Sequence, residues 1–291
     1  MARLLRWALG AGAGAAAYSL YEPLRFRLES REVPVRWAGP PLDVLHLADT
    51  HLAPQDRKLQ SFLRSLPDRL DRVPDLVVAT GDMIEGSDGI QPLLDAIAGV
   101  KARFGRFYVL GSHDYYEPAG PSYTKYFSGK KPKRQPRPAD SARLERGLQD
   151  AGWIALTNRS EIIEVHDRRV RLAGVDDPYL NRHDVSHIAR AETDQLALAL
   201  VHAPDVVSQW ALNGFDVIFA GHTHAGQVRI PLLGAAVTNS SLPAALAGGL
   251  NRIGDTWLHV SPGLGTGRFT PIRFLTPPET TLLRLVPTAL G

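Results

Sequence analysis

The chain has 291 residues, 44% hydrophobic and 22% charged, which is the make-up of a globular protein with one large domain or two small ones. Its net charge of +3 is too mild to point to nucleic acid by itself. With no cysteine it has neither a disulfide framework nor a thiolate metal site, so any metal must be held by His, Asp, Asn or main-chain groups.

The first stretch is MARLLRWALGAGAGAAAYSLYEPLRFRLES. Arg3 and Arg6 precede the uncharged run Trp7–Tyr21, which falls short of the roughly 18 apolar residues of a spanning helix and is rich in Gly and Ala rather than Leu. A positive start, an apolar middle and the small residues Ala15-Ala16-Ala17 are the layout of a signal peptide or short signal anchor. The other reading is an Ala-rich helix packed on the domain. We set residues 1–32 apart as this segment and take 33–291 as one domain. The segment makes a membrane-associated or exported protein the expectation; a packed helix leaves it cytoplasmic.

Short apolar runs follow, most ending in a polar turn: Leu42–Ala48, Leu76–Thr80, Phe107–Leu110, Arg169–Val175, Leu196–Val201, Val217–Ala220 and Trp257–Val260. Their lengths predict buried strands rather than helices. Amphipathic segments between them predict helices from Asp56 to Leu70, from near Ser87, over Ala139–Asp150 ahead of a capping Gly152, and from Pro204 to Gly214. Alternating strands and helices imply an α/β protein with layered sheets. Tyr123–Pro138 departs from this order. Its Lys125, Lys130, Lys131, Lys133, Arg134 and Arg137 among three prolines read as a solvated basic loop, or as an arm that attracts phosphate or anionic lipid heads.

The strand ends collect ligand-type residues. Asp49 and His51 follow the first run, Asp82 the second, Ser112, His113 and Asp114 the third, His202 the fifth and His222 and His224 the sixth. Ligands of open α/β sheets bind outside the carboxyl ends of strands. In an extended segment residues i and i+2 point the same way, which puts each Asp-x-His or His-x-His pair on one side. Two divalent ions need a bridging carboxylate and further ligands on each side. Asp82 can bridge; Asp49, His51 and His224 can hold one ion, His202 and His222 the other. Such a pair provides hydroxide near neutral pH and neutralises phosphoryl oxygens. His113, if not a ligand, is placed to give a proton to the leaving oxygen.

Other residues read more plainly. His46, mid-strand, is a core histidine. His183 and His187 flank Asp184, read as a helix N-cap. Asp176-Asp177-Pro178 suits a turn that can line a pocket. Gly263-Leu264-Gly265-Thr266-Gly267 lacks the lysine of a phosphate-binding loop and reads as a turn.

The order Asp-x-His, Gly-Asp, Gly-Ser-His-Asp, His, Gly-His-x-His resembles the calcineurin-like metallophosphoesterases over about Leu42 to Pro271. AGHTHAGQVRIPLLGA further resembles a bacterial branch of membrane-associated or exported phosphodiesterases, in which a lipid or cell-envelope substrate is usual. The resemblance implies two packed mixed β-sheets flanked by helices, a four-layer sandwich. It also implies two divalent ions (Mn, Fe or Zn) and hydrolysis of a phosphodiester or pyrophosphate. One departure stands out: the family has Asn where this chain has Ser112. The Asn amide oxygen ligates the second ion beside the counterparts of His202 and His222. Here Ser112 reaches the ion, or a water fills the gap, or His113 turns in to ligate. Ala225 stands where the branch often has Gly, a local change. Two alternatives remain: a degenerate metal-binding scaffold, and a metal-dependent nuclease. A nuclease wants a broad basic groove with stacking aromatics, so nucleic acid is not the expected partner.

Overall fold

In the computed structural model, residues 2–118, 137–186, 188–208, 214–235 and 237–288 are described. Helix α1 is Ala2–Tyr21. Strand β1 (Arg27–Val35) leads to β2 (Leu42–Leu47), α2 (Arg57–Arg69), β3 (Leu76–Thr80), α3 (Ile90–Ile97) and β4 (Gly105–Val109). A four-residue helix α4 (Ser112–Tyr115), the small pair β5 (Tyr116–Glu117) and β6 (Arg137–Pro138), α5 (Ser141–Asp150) and β7 (Ile154–Ala155) complete the first half. The second half holds β8 (Arg159–Val165), β9 (Arg168–Gly174), β10 (Leu196–Val201), β11 (Val217–Ala220), the small pair β12 (Arg229–Ile230) and β13 (Gly234–Ala235), β14 (Gly249–Ile253), β15 (Thr256–Val260) and β16 (Glu279–Pro287).

Two six-stranded sheets run β1-β16-β2-β3-β4-β7 and β14-β15-β11-β10-β9-β8. Both are mixed: β2, β3, β4 and β7 are parallel, as are β9, β10, β11 and β15, while β16 against β2, β8 against β9 and β14 against β15 are antiparallel. The central strands β2, β3, β10 and β11 are buried at every position, because a parallel strand inside a sandwich has no solvated face. Side chains alternate between two cores. Val44, Val78, Phe107 and Val109 meet Val170, Leu172, Leu198, Leu200 and Phe219 between the sheets. Leu45, Leu47, Val77, Ala79 and Tyr108 face outward to α2, α3 and α5. A third core covers the far face of the second sheet, where Ala197, Ala199, Val201 and Ile218 pack on Val206, Val207 and Ile188. The four-layer α/β sandwich is thus what the chain forms.

Several expectations change. The strand β1 starts at Arg27, so the first sheet takes in residues placed with the N-terminal segment; pairing with β16 makes the strand, not an apolar run. Asp184 caps no helix: its carboxylate accepts from the N–H and hydroxyl of Ser186 and closes a local turn. The helix expected after Pro204 starts as a 3-10 turn, Pro204–Val206, and goes on as α-helix over 207–208; residues 209–213, like His187 and residues 123–136 of the basic stretch, lie outside the described residues. His46 is fully buried between the sheets, with Nδ1 2.8 Å from His259 Nδ1 and Nε2 2.9 Å from Thr80 Oγ1. Among the described residues no helix is long and apolar enough to cross a membrane.

Candidate metal centre

The parallel strands β2, β3, β10 and β11 end side by side, and the residues after them turn into one cleft. The turns are tight. Asp49, His51, Asp82, His222 and His224 all have positive φ, between 40° and 68°. Left-handed backbone at five non-glycine positions costs free energy, and such strain collects at functional sites. Main-chain bonds hold it: Asp49 N donates to Gly81 O (3.1 Å), His51 N to Asp82 O (2.9 Å) and Gly221 N to His202 O (3.0 Å).

Two groups of side chains result. Ligand atoms of Asp49, His51 and His224 lie within 4.8 Å of one another, as do those of Asp49, Asp82 and His202. Asp82 Oδ2 stands between them, 3.6 Å from His51 Nε2 and 3.3 Å from His202 Nε2. His51 Nε2 is 3.2 Å from His224 Nε2, and His202 Nε2 is 3.3 Å from His222 Nδ1. His222 and His224 therefore face different partners. The other ring nitrogens are committed elsewhere. His202 Nδ1 donates to Thr80 O (2.8 Å), His222 Nε2 to Asn239 O (3.1 Å) and His51 Nδ1 to Glu85 Oε2 (2.9 Å). Metal-ligating histidines are oriented in this way.

The electrostatics call for cations. Asp49 is fully buried, and Oδ2 has no partner among the described residues. Burial pushes its carboxyl up to about 6, although His202 pulls the other way. Burial also acts to raise Asp82, but His202, His113 and His51 hold it well below the usual carboxylate range. His51 is raised to about 9 against burial by its bond to Glu85 and the charge of Asp82. His222 is pushed down to about 4 by burial and by His202, and His224 is held well below the ordinary imidazole range by burial, His51 and Arg273. Carboxylates beside imidazoles that give up their protons when a metal binds are the donor set of a divalent ion of the Mn, Fe or Zn kind. The residues present fit such a group.

Ser112 and His113 stand on the wall of a cleft of about 340 Å³ with His51, Asp82, His222 and His224. His113 N donates to Asp82 Oδ1 (2.7 Å), its ring meets that of His51 edge-on at 4.6 Å, and Nδ1 is 3.5 Å from Glu85 Oε2. Gly111 has no alternative, since a Cβ there would collide with the Asp82 carboxylate.

Sequence reasoning missed three supporting residues, Glu85, Asn239 and Arg273, and placed Asp114 at a strand end without a supporting role. Glu85 contacts His51 and His113 together, and these two hold its carboxyl down to about 2 against burial. Asp114 accepts from Met83 N, Ile84 N and Gly111 N, tying the Asp82 turn to the Ser112 turn. Asn239 and Arg273 contact His222 and His224 from far along the chain. Only Glu85 had a signal, an acid three residues after Asp82. The turn at Gly263–Gly267 does reach the site: a Cβ at Gly263 would stand 2.7 Å from Asp49 Cβ. Asp177, fully buried, accepts from Tyr179 N (3.0 Å) and lies near enough to His202 for the two charges to interact.

A His/Asp cluster at the strand ends of an α/β sandwich defines a metal-dependent phosphoester hydrolase. The calcineurin-like phosphoesterase profile matches residues 42–226, and the chain belongs to that family. It is similar to the uncharacterized metallophosphoesterase YkuE of Bacillus subtilis, 25% identical over 284 residues, 95% of this chain and 90% of that protein. It is also similar to the phosphodiesterase YaeI of Escherichia coli, 25% identical over 248 residues, 84% and 83% of the two chains. Among solved structures, an archaeal phosphodiesterase is similar over 76% of this chain and 84% of its own, with a TM-score of 0.38 and 12% identity.

Ser112 leads to an expected result. If two ions bind, the one beside His202 and His222, with one strong ligand fewer, is expected to bind more weakly than the one beside Asp49, His51 and His224, because ligand count and type tune affinity. Activity then rises with added metal in two phases, and Ser112→Asn moves the second phase to lower metal. Two equally tight ions in the parent, unchanged by Ser112→Asn, would show that serine or water replaces the amide without cost.

Proposed function

We propose that the protein hydrolyses phosphodiesters, or a pyrophosphate bond, with two divalent ions held about the bridging carboxylate of Asp82. The observation that carries this is the place of Asp82 Oδ2, within 3.6 Å of nitrogens of both groups. Bound there, the ions lower the pKa of water and neutralise the phosphoryl oxygens. The chain's own residues do the rest. Asp49, His51 and His224 hold one side, and His202 and His222 hold the other, with Ser112 beside them. His113 gives a proton to the leaving oxygen, and Glu85 orients His113 and His51 together. The phosphodiesterase name of the YaeI relative supports the diester reading.

The substrate we propose is amphiphilic, a lipid or cell-envelope phosphodiester. A second cleft of about 630 Å³ runs from Thr50 and His51 to Leu20, Pro23, Leu24 and Phe26, with Arg57 and Lys58 on its wall. Apolar surface beside cations suits such a molecule. Arg3 and Arg6 ahead of the uncharged run Trp7–Tyr21 support a membrane-associated or exported location, which fractionation of the host checks. The decisive assay gives metal-stripped full-length protein a chromogenic phosphodiester with and without Mn²⁺, then lipid, nucleotide and nucleic-acid diesters. Turnover only with metal, highest on the lipid diester, is expected. No turnover with any divalent ion would leave a metal-binding scaffold, and preference for nucleic acid would leave a nuclease.

A further inference from the structure

Arg273 is fully buried between the metal centre and the end of α1. On the metal side, Nη2 stands 3.1 Å from His224 Nδ1 and donates to Gly263 O (3.1 Å) and Gly265 O (2.6 Å). Those two carbonyls belong to a turn that lies on the ligands. Leu264 N donates to Ala48 O (3.1 Å) and Gly265 N to Asp49 O (2.6 Å), and a Cβ at Gly265 would collide with Thr50 O and stand 2.9 Å from His51 Cβ. Arg273 thus touches His224 directly and backs Asp49 and His51 through the turn.

On the other side, Arg273 N donates to Ser19 O (3.0 Å), inside α1. Its neighbour Phe274 meets the Tyr18 ring edge-on, with centroids 6.0 Å apart. Tyr18 Oη donates to Glu22 Oε1 (3.1 Å) and accepts from Arg25 Nη1 (2.9 Å). Glu22 is 1% exposed, and Oε2 has no hydrogen-bond partner among the described residues, nor has Arg273 Nε. A buried guanidinium is costly without opposing charge. The carboxylates near enough to act on its charge are those of Asp49 and Glu22. One belongs to the metal centre and the other to the turn after α1.

We propose that the N-terminal helix is a working part of the metal centre: Ser19 bonds the Arg273 backbone, Tyr18 packs on its neighbour Phe274, the buried carboxylate of Glu22 lies near enough to act on the Arg273 charge, and Arg273 positions Asp49, His51 and His224. Arg273 is a positioning residue, and docking of α1 sets the affinity of the ion those three hold. The segment read from sequence as a leader or a packed helix then controls metal loading, and whatever displaces it loosens the site. This rests on the metal-dependent reading above.

The test titrates Mn²⁺ into metal-stripped full-length protein by calorimetry, with metal content counted after dialysis. Glu22→Gln, which keeps size and removes charge, is expected to weaken the tighter Mn²⁺ site about tenfold, and Arg273→Met about a hundredfold, the range seen when groups that orient ligands are lost. Arg273→Lys should recover part of the affinity, since its ammonium can again donate to the Gly263 and Gly265 carbonyls. Far-UV circular dichroism checks the fold; if Arg273→Met does not fold, Glu22→Gln carries the test alone. Parent-like Mn²⁺ affinity in Glu22→Gln and in any folded Arg273→Met overturns the inference. A parent that binds no divalent ion overturns the metal-dependent reading and this inference with it.

Discussion

Asp82→Asn is expected to lower kcat about a thousandfold at saturating metal, roughly 4 kcal/mol of transition-state stabilisation. Asparagine keeps the size of the side chain but offers one neutral oxygen where the carboxylate offers two. Asp82 uses both: Oδ1 accepts from His113 N, and Oδ2 faces His51 and His202. On the two-ion mechanism proposed above, losing the charge weakens the hold on both ions together, so the supply of hydroxide and the clamp on the phosphoryl group fail at once. The fold should survive, because the surrounding strands are held by the two cores and not by this carboxylate. Steady-state kinetics with circular dichroism checks both points. Activity within about tenfold of the parent would sink the bridging assignment, since a lost bridge disturbs both functions.

The second large effect is at His113. If it is the proton donor, His113→Ala should lose about 10²- to 10⁴-fold on a diester with a poor leaving group and far less on one with a nitrophenol, which leaves without protonation. Its placement supports that role: the ring lines the cleft, beside His51 and within reach of Glu85. The competing role follows from Ser112. If His113 has turned in to replace the missing amide oxygen, metal content falls and the loss is the same for every leaving group. Rates on a leaving-group series, with metal analysis of the same samples, separate the two.

The chain by itself determined the central strands and the kinds of ligand they carry. Leu76–Thr80, Leu196–Val201 and Val217–Ala220 were readable to the residue because strands buried on both faces appear as unbroken apolar runs. Asp49, His51, Asp82, His202, His222 and His224 were readable because each closes such a run. Tertiary structure decided the rest. Strands β1, β8, β14 and β16 mix polar or charged residues with apolar ones and form no unbroken apolar run, and only a partner strand makes them extended. It also decided how the ligands are aimed. The left-handed turns at Asp49, His51, Asp82, His222 and His224 come from main-chain bonds between loops that are far apart in sequence. Glu85, Asp114, Asn239 and Arg273 act through contacts that no local pattern encodes. Composition and spacing select residue types along one chain, whereas the charge balance of a buried site is set by every segment that folds against it, the end of α1 included.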